Sequence, residues 1–264
     1  MARVGLKKRI GIEESERVWV VSLDVDVCNH ESAISRIAAM VKAGDGGYVC
    51  FSSVHMVMES HDDPGFGEIV NGANMVVPDG LPLVWMQKLQ KAKGASRVRG
   101  PSMMPKLCKY AAANGLSVGF YGGTEETIRG VQERALRDYP DLRIAFAYSP
   151  PFRPLTELED RVVTQDILRS KPDILFVGLG CPKQERWMFA HRDTIPAVML
   201  GVGAAFDFYV GNFRECPEWL QHLGLEWLFR LIGDPRRLWR RYIYLNPRFI
   251  CLAAVQLAGL RRSR

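Results

Sequence analysis

Asp79 stands where a catalytic base would sit. It stands in Pro78-Asp-Gly80, after the apolar run 75–77 and before the helical spacing of 81–89, so a strand's carboxyl edge and a helix start flank it. Ligands of open parallel sheets bind beyond such edges, where a carboxylate can take a proton from a bound hydroxyl. Asp-Gly is also a common turn pair, and aspartate caps helices by accepting backbone N–H groups; spacing alone favours this cap over a base. Asp207, in Gly201-Val-Gly-Ala-Ala-Phe-Asp207, carries a similar pair of readings: it orders a loop or meets a ligand.

Three strand ends bear glycines: Gly119-Phe-Tyr-Gly122-Gly123-Thr124, Gly178-Leu-Gly180 and Gly201-Val-Gly203. Glycine lets a ligand approach the backbone, and the helices that follow offer N-termini to an anion. Singly, each is a turn requirement; their recurrence at successive strand ends points to a nucleotide or phosphate site. Neither G-x-G-x-x-G nor G-x-x-x-x-G-K-S/T is present, so no dinucleotide fingerprint or P-loop is matched. In Cys181-Pro-Lys-Gln-Glu185, Pro182 opens a helix that presents Lys183 and Gln184 beyond the sheet. Gln184 can donate to and accept from a sugar or base, whereas Lys183 is equally read as solvated surface. Cys181 sits where a helix start lowers a thiol pKa, but no histidine partners it in the sequence, and packing is the stronger reading.

Cations gather at the other end of the chain. From residue 230 onward there are nine arginines (230, 236, 237, 240, 241, 248, 261, 262 and 264) and one acid, Asp234, with Trp239, Tyr242, Tyr244 and Phe249 interleaved. On a helix after Pro235, Arg237, Arg240 and Arg241 share one face, able to grip a diphosphate or lie on anionic lipid. The apolar run 249–260 suits an interfacial helix or one packed on the core.

These groups need a scaffold. Short apolar runs at 18–25, 48–52, 75–77, 117–121, 144–147, 174–177 and 197–202 read as strands, and 31–42, 81–89, 101–113, 125–138, 157–170 and 183–191 carry helical period. Their alternation predicts an α/β chain: a largely parallel, Rossmann-like sheet flanked by helices, with a C-terminal Arg-rich helical appendage. The expected organisation is a flexible basic N-terminus over 1–16, a catalytic α/β domain over 17–229 and a membrane-associating appendage over 230–264. Because the sheet is complete before Arg230, a chain ending near Leu225 is expected to fold and gain solubility while losing activity.

The bulk properties set limits. The 264 residues are 47% hydrophobic and 24% charged, enough to bury a full core and unlike a disordered chain. Lys and Arg total 35 against 29 Asp and Glu, a net charge of +6 that favours an acidic partner. The six cysteines are dispersed, with no C-x-x-C pair, which argues against a disulfide framework or zinc site. Glu13, Glu14 and Glu16 stand where a signal peptide needs its apolar run, and no apolar stretch reaches the roughly 20 residues that span a bilayer. A soluble or peripheral cytoplasmic protein is expected.

Collinear motifs carry a resemblance. Pro78-Asp-Gly-Leu-Pro-Leu-Val-Trp85, Arg97-Val-Arg-Gly-Pro101, Phe120-Tyr-Gly-Gly123, Gly178-Leu-Gly-Cys-Pro-Lys-Gln-Glu185, Gly201-Val-Gly-Ala-Ala-Phe-Asp207 and Leu223-Gly-Leu-Glu-Trp-Leu-Phe-Arg-Leu231 appear in order. From about residue 18 to about 248 the chain resembles the WecG/TagA/CpsF glycosyltransferases. The resemblance implies transfer of a sugar, with inversion, from a UDP-sugar donor to a polyprenyl-diphosphate-linked sugar at the cytoplasmic membrane face, in cell-surface polysaccharide synthesis. N-acetylmannosamine, its uronic acid and glucose are the candidate sugars. It makes Asp79 the base, lines the active site with Arg97 and Gln184, and closes Arg230, Arg237 and Arg240 over the diphosphate. It implies no metal and no cofactor, and the literal D-x-D of Asp24-Val-Asp26 sits on the first strand, where alternating residues more often face solvent, so it is not read as a metal site.

In the family, a threonine and an asparagine occupy two positions upstream of the base; here they are Phe51 and Ser53, which places Ser53 and the nearby His55 among the substrate contacts and leaves the sugars open. A lone histidine after a strand is also commonly packed or capping. Gly122, Gly123, Gly180, Lys183, Gly203 and Asp207 complete the expected substrate site. The alternatives are a UDP-sugar or anionic-lipid binding module without chemistry, and a nucleic-acid binder, which lacks any recognisable motif. A homo-oligomer is compatible with the sequence.

Overall fold

The computed structural model describes residues 16–217, 219–220 and 224–262, without the side chains of 237, 241 and 260–262. Six parallel strands form the central sheet in the order β4-β3-β8-β7-β5-β6: β3 (Gly47–Ser52), β4 (Met75–Pro78), β5 (Ser117–Gly122), β6 (Arg143–Tyr148), β7 (Ile174–Gly178) and β8 (Val198–Gly201). The chain runs out from β3 to β4, returns across the sheet to β5 and β6, and fills the centre last with β7 and β8. All six carboxyl ends therefore open on one edge.

The inner strands are continuous apolar runs because helices cover both faces. Alternate residues go to opposite cores. Val49, Phe51, Phe120, Phe176 and Leu200 face α1 (His30–Ala43), α5 (Gly100–Ala113), α6 (Glu125–Asp138) and α9 (Ala205–Val210). Tyr48, Cys50, Tyr121, Leu175, Val177 and Met199 face α2 (Val54–Asp62), α3 (Pro64–Asn71), α4 (Leu81–Leu89), α7 (Glu157–Ser170) and α8 (Lys183–His191). Local chemistry fixes the helix starts. Asn29 accepts from Ser32 in a capping box, Thr156 does the same with Glu159, and Thr124 accepts from the Thr127 N–H.

The sequence reading of 18–25 as one strand fails at Val21. That residue has φ 59°, and the chain reverses into the antiparallel pair β1 (Arg17–Val20) and β2 (Leu23–Asp26), which lies beside the β4 edge. Asp26, expected on an alternating and largely solvated strand, is fully buried: its Oδ2 accepts the Val76 N–H at 2.7 Å, and its Oδ1 faces Arg36 at 2.8 Å and Arg17 at 3.3 Å. The carboxylate fastens the hairpin to the sheet.

After Leu225 come α10 (Glu226–Gly233), α11 (Pro235–Trp239), a π-helical turn (Arg240–Tyr244) and α12 (Leu245–Arg262). Leu245, Phe249 and Ala253, spaced by four, enter the second core, so the packed reading of this run holds on one face. Ile250 (64% exposed) and Val255 (71%) stay outside. Gln256 accepts the Val21 N–H at 2.8 Å and donates to the Trp19 carbonyl at 2.7 Å, and Arg248 makes a bidentate pair with Asp62.

The expectation for a chain ending near Leu225 changes accordingly. It would keep the sheet but uncover the apolar residues that α12 shields, so we expect a lower melting temperature and aggregation rather than greater solubility. Scanning calorimetry and light scattering of both chains would check this. A truncated chain that melts with the parent and stays monodisperse would refute it.

Candidate active site

The carboxyl ends of β3, β4 and β8 and the segment 226–245 surround a cavity of about 1130 Å³. A smaller one, about 120 Å³, adjoins it and shares Ser53, His55, Asp79, Arg230 and Tyr242 with it.

Asp79 is delivered by the ladder between β3 and β4. Its N–H and that of Gly80 both donate to the Ser52 carbonyl, at 2.9 and 3.2 Å, carrying the pairing one step past the strand ends. Gly80, not Asp79, occupies the cap of α4. The capping alternative therefore falls away, and the Asp79 side chain, 27% exposed, opens on the cavities it lines. Enclosure by protein pushes its pKa up; Arg97, then Arg230 and Arg99, pull it back, and Glu226 adds to the rise. The net direction is upward.

Arg97 is held at two points. Its Nε donates to the Asp79 carbonyl at 2.6 Å and its Nη2 to Glu226 Oε2 at 2.6 Å, leaving that nitrogen 4.0 Å from Asp79 Oδ1. Glu226 also receives Arg99 at 3.3 Å and Arg230 at 2.5 Å, so three guanidinium groups share one buried carboxylate. Burial alone would raise the Glu226 pKa, but Arg230, Arg97 and Arg99 outweigh it and hold the group below its ordinary value. Asp79 and Glu226 leave one net positive charge in this cluster. An anionic ligand is favoured there.

The model of the glycosyl transferase WecG/TagA/CpsF family matches residues 18–263. The chain belongs to that family. Among curated proteins, the N-acetylglucosaminyldiphosphoundecaprenol N-acetyl-beta-D-mannosaminyltransferase of Bacillus subtilis (strain 168) is 33% identical over 183 residues, 69% of each chain. The protein of the same name from Bacillus spizizenii is 31% identical over 206 residues, 78% of this chain and 77% of its own.

Most of the site residues inferred from the sequence of this WecG/TagA/CpsF member converge. Ser53, His55, Asp79, Gly180, Gln184, Gly203, Arg230 and Arg240 line the larger cavity, and Arg97 lines the smaller. Phe51 is there too, nearly buried. Gln184 differs from expectation in its bonding. Its Oε1 accepts the N–H groups of Gly180 (3.1 Å) and Gly203 (3.0 Å), and its Nε2 donates to the Gly201 carbonyl and to Glu185. The amide thus ties two glycine-bearing strand ends together.

Gly122 and Gly123 lie at the end of β5 without lining either cavity. A Cβ on Gly122, where φ is 126°, would sit 2.5 Å from the Gly178 backbone, so strand packing accounts for that glycine. Asp207 accepts from Thr127 and Asn212, the latter a cavity residue, and so orders the wall. Lys183 is exposed at the start of α8 and lines neither cavity. The Arg237 side chain lies outside the described residues. His55 is 3.4 Å from Glu59, one turn along α2.

Sequence reasoning missed Glu226, Arg99 and Glu185. Glu226 and Arg230 have helical i, i+4 spacing, but nothing local says that the carboxylate turns inward. Glu185 is buried behind Gln184, and burial drives its pKa to about 7 against the hydrogen bonds from Gln184, its own backbone N–H and Cys181. Cys181, the source of that thiol bond, packs against the second core and lines the larger cavity.

Proposed function

We propose that this protein is an inverting, metal-independent glycosyltransferase that moves an N-acetylmannosamine-, N-acetylmannosaminuronate- or glucose-type sugar from a UDP-sugar to a polyprenyl-diphosphate-linked sugar. The observation that carries the reading is a carboxylate of raised pKa beside three arginines at a cavity large enough for two substrates. The relatives' names supply the acceptor class.

Asp79 accepts the proton of the acceptor hydroxyl as its oxygen forms a bond to the anomeric carbon. The bond from that carbon to the diphosphate oxygen breaks on the opposite face, and UDP leaves with the electron pair. A single displacement inverts the centre. Arg97 and Arg230 meet the charge that develops on the diphosphate, and Arg240 extends the cationic wall. In this reading, arginines supply the positive charge that a divalent ion provides in D-x-D transferases. Gln184 keeps Gly180 and Gly203 in place at the cavity.

No helix among the described residues is long and apolar enough to cross a membrane. Ile243, Tyr244, Ile250 and Val255 are exposed in an arginine-rich segment, which supports residence at the anionic cytoplasmic surface where a lipid-linked acceptor is presented.

The test is transfer from a panel of UDP-sugars to polyprenyl-diphosphate-linked N-acetylglucosamine in anionic liposomes. Product from at least one donor is the expected result. UDP binding without product from any donor would favour a binding module instead.

A further inference from the structure

Glu226 takes no part in the displacement above, yet it is the residue on which the cationic cluster is organised. The Glu226 carboxylate, its side chain 9% exposed, is engaged by Arg97, Arg99 and Arg230. Its position decides where the Arg97 guanidinium points. The Nε bond to the Asp79 carbonyl anchors one side of that group, and the Nη2 bond to Glu226 fixes its rotation about the anchor. Nη2 consequently stops 4.0 Å from Asp79 Oδ1, beyond hydrogen-bonding distance. Without Glu226, the same nitrogen would be free to swing onto Asp79 and close a charge-assisted hydrogen bond there. A base occupied in that way is weakened.

We propose that Glu226 is a positioning residue for the transfer, holding the Arg97 guanidinium off the Asp79 carboxylate so that Asp79 stays available to the acceptor hydroxyl. This rests on the reading of Asp79 as the base. The charged and titratable groups around Asp79 are Arg97 and Arg99 from the segment before α5, Arg230 and Glu226 from α10, His55 from α2 and Tyr242 from the π-helical turn. Glu226 is the second acid of this set. Its loss removes a negative neighbour and releases a positive one, and both effects make Asp79 more acidic.

The experiment is the pH profile of kcat for the full chain in the liposome assay, with melting temperatures measured alongside. Glu226→Gln should shift the acid limb down by about one pH unit and lower the plateau about threefold, as expected of a weaker base whose Brønsted coefficient is below one. Glu226→Asp, which keeps the charge, should restore most of the parent limb. Arg97→Lys conserves net charge but cannot span the Asp79 carbonyl and Glu226 together, so its limb should also fall. A purely structural role would lower the melting temperature and leave every limb in place.

An unmoved limb in either folded variant, Glu226→Gln or Arg97→Lys, overturns the proposal, and so does a Glu226→Asp profile that matches Glu226→Gln. Turnover retained by Asp79→Asn would instead remove the base reading itself. A dead Asp79→Asn enzyme with unmoved limbs in the other variants removes only the role given to Glu226.

Discussion

Asp79→Asn should lower the rate of sugar transfer about 10³-fold while leaving UDP affinity within a few-fold of the parent, because it deletes a proton acceptor and little else. The contacts that place residue 79 are backbone ones: its N–H to the Ser52 carbonyl and its own carbonyl to Arg97. Asparagine keeps both and matches the shape of the side chain. The variant should also fold at least as well. A carboxyl whose pKa is raised by folding contributes stability at low pH that is lost as pH rises through the folded value, so at pH 7 ionised Asp79 is a cost that asparagine does not carry. Loss of turnover with an equal or higher melting temperature thus isolates the chemical role. Transfer within tenfold of the parent would sink the base assignment.

If Asp79 is the base, as proposed, the same shift sets the pH dependence of the parent enzyme. The base must be ionised to act, so kcat/KM should rise with pH and level off above the pKa of Asp79 in the free enzyme. Since enclosure outweighs Arg97, Arg230 and Arg99, that limb should lie above the ordinary carboxylate range. A limb at or below that range would mean that the arginines dominate.

Much of the candidate site's placement was legible in the sequence because the cavity is made at strand ends. A short apolar run followed by Pro-Asp-Gly defines both a strand edge and the residue that projects from it, and the exposure of Asp79 to the cavity confirms that placement. The bounds of α4, α6, α7 and α8 were readable for a similar reason: caps and turn residues act locally. What was hidden depended on tertiary partners. The reversal at Val21 puts a β-branched residue in the left-handed region, which local propensity argues against, and the β4 edge and Gln256 stabilise it from far along the chain. Helices α2 and α3 are short: α2 owes its burial to β3 and α12, and α3 to α2, α8 and β2. The inward turn of Glu226 needs arginines 129 and 127 residues away. Motif spacing marked the arginines of the tail but not the acid that organises them.

Arg230→Ala is the second large effect, and its sign on the base is opposite to that of Glu226→Gln. Arg230 lines both cavities, lies 2.5 Å from Glu226, and stacks its guanidinium 5.0 Å above the Phe208 ring. In the proposed displacement it meets charge that grows on the departing diphosphate, an interaction stronger in the transition state than in the bound donor. Removing it should therefore cost about 10²–10³-fold in kcat with a smaller change in KM. Arg230 also pulls the pKa of Asp79 down, so its loss should move the acid limb upward, whereas the loss of Glu226 moves it downward. Arg230→Lys should keep most of the limb position, which follows charge, and lose part of the rate, which follows the geometry of the guanidinium fork. If kcat stays within threefold of the parent in Arg230→Ala while KM for the donor rises tenfold or more, Arg230 binds substrate and leaving group equally, and stabilisation of the departing diphosphate must come from another cation of the cavity wall.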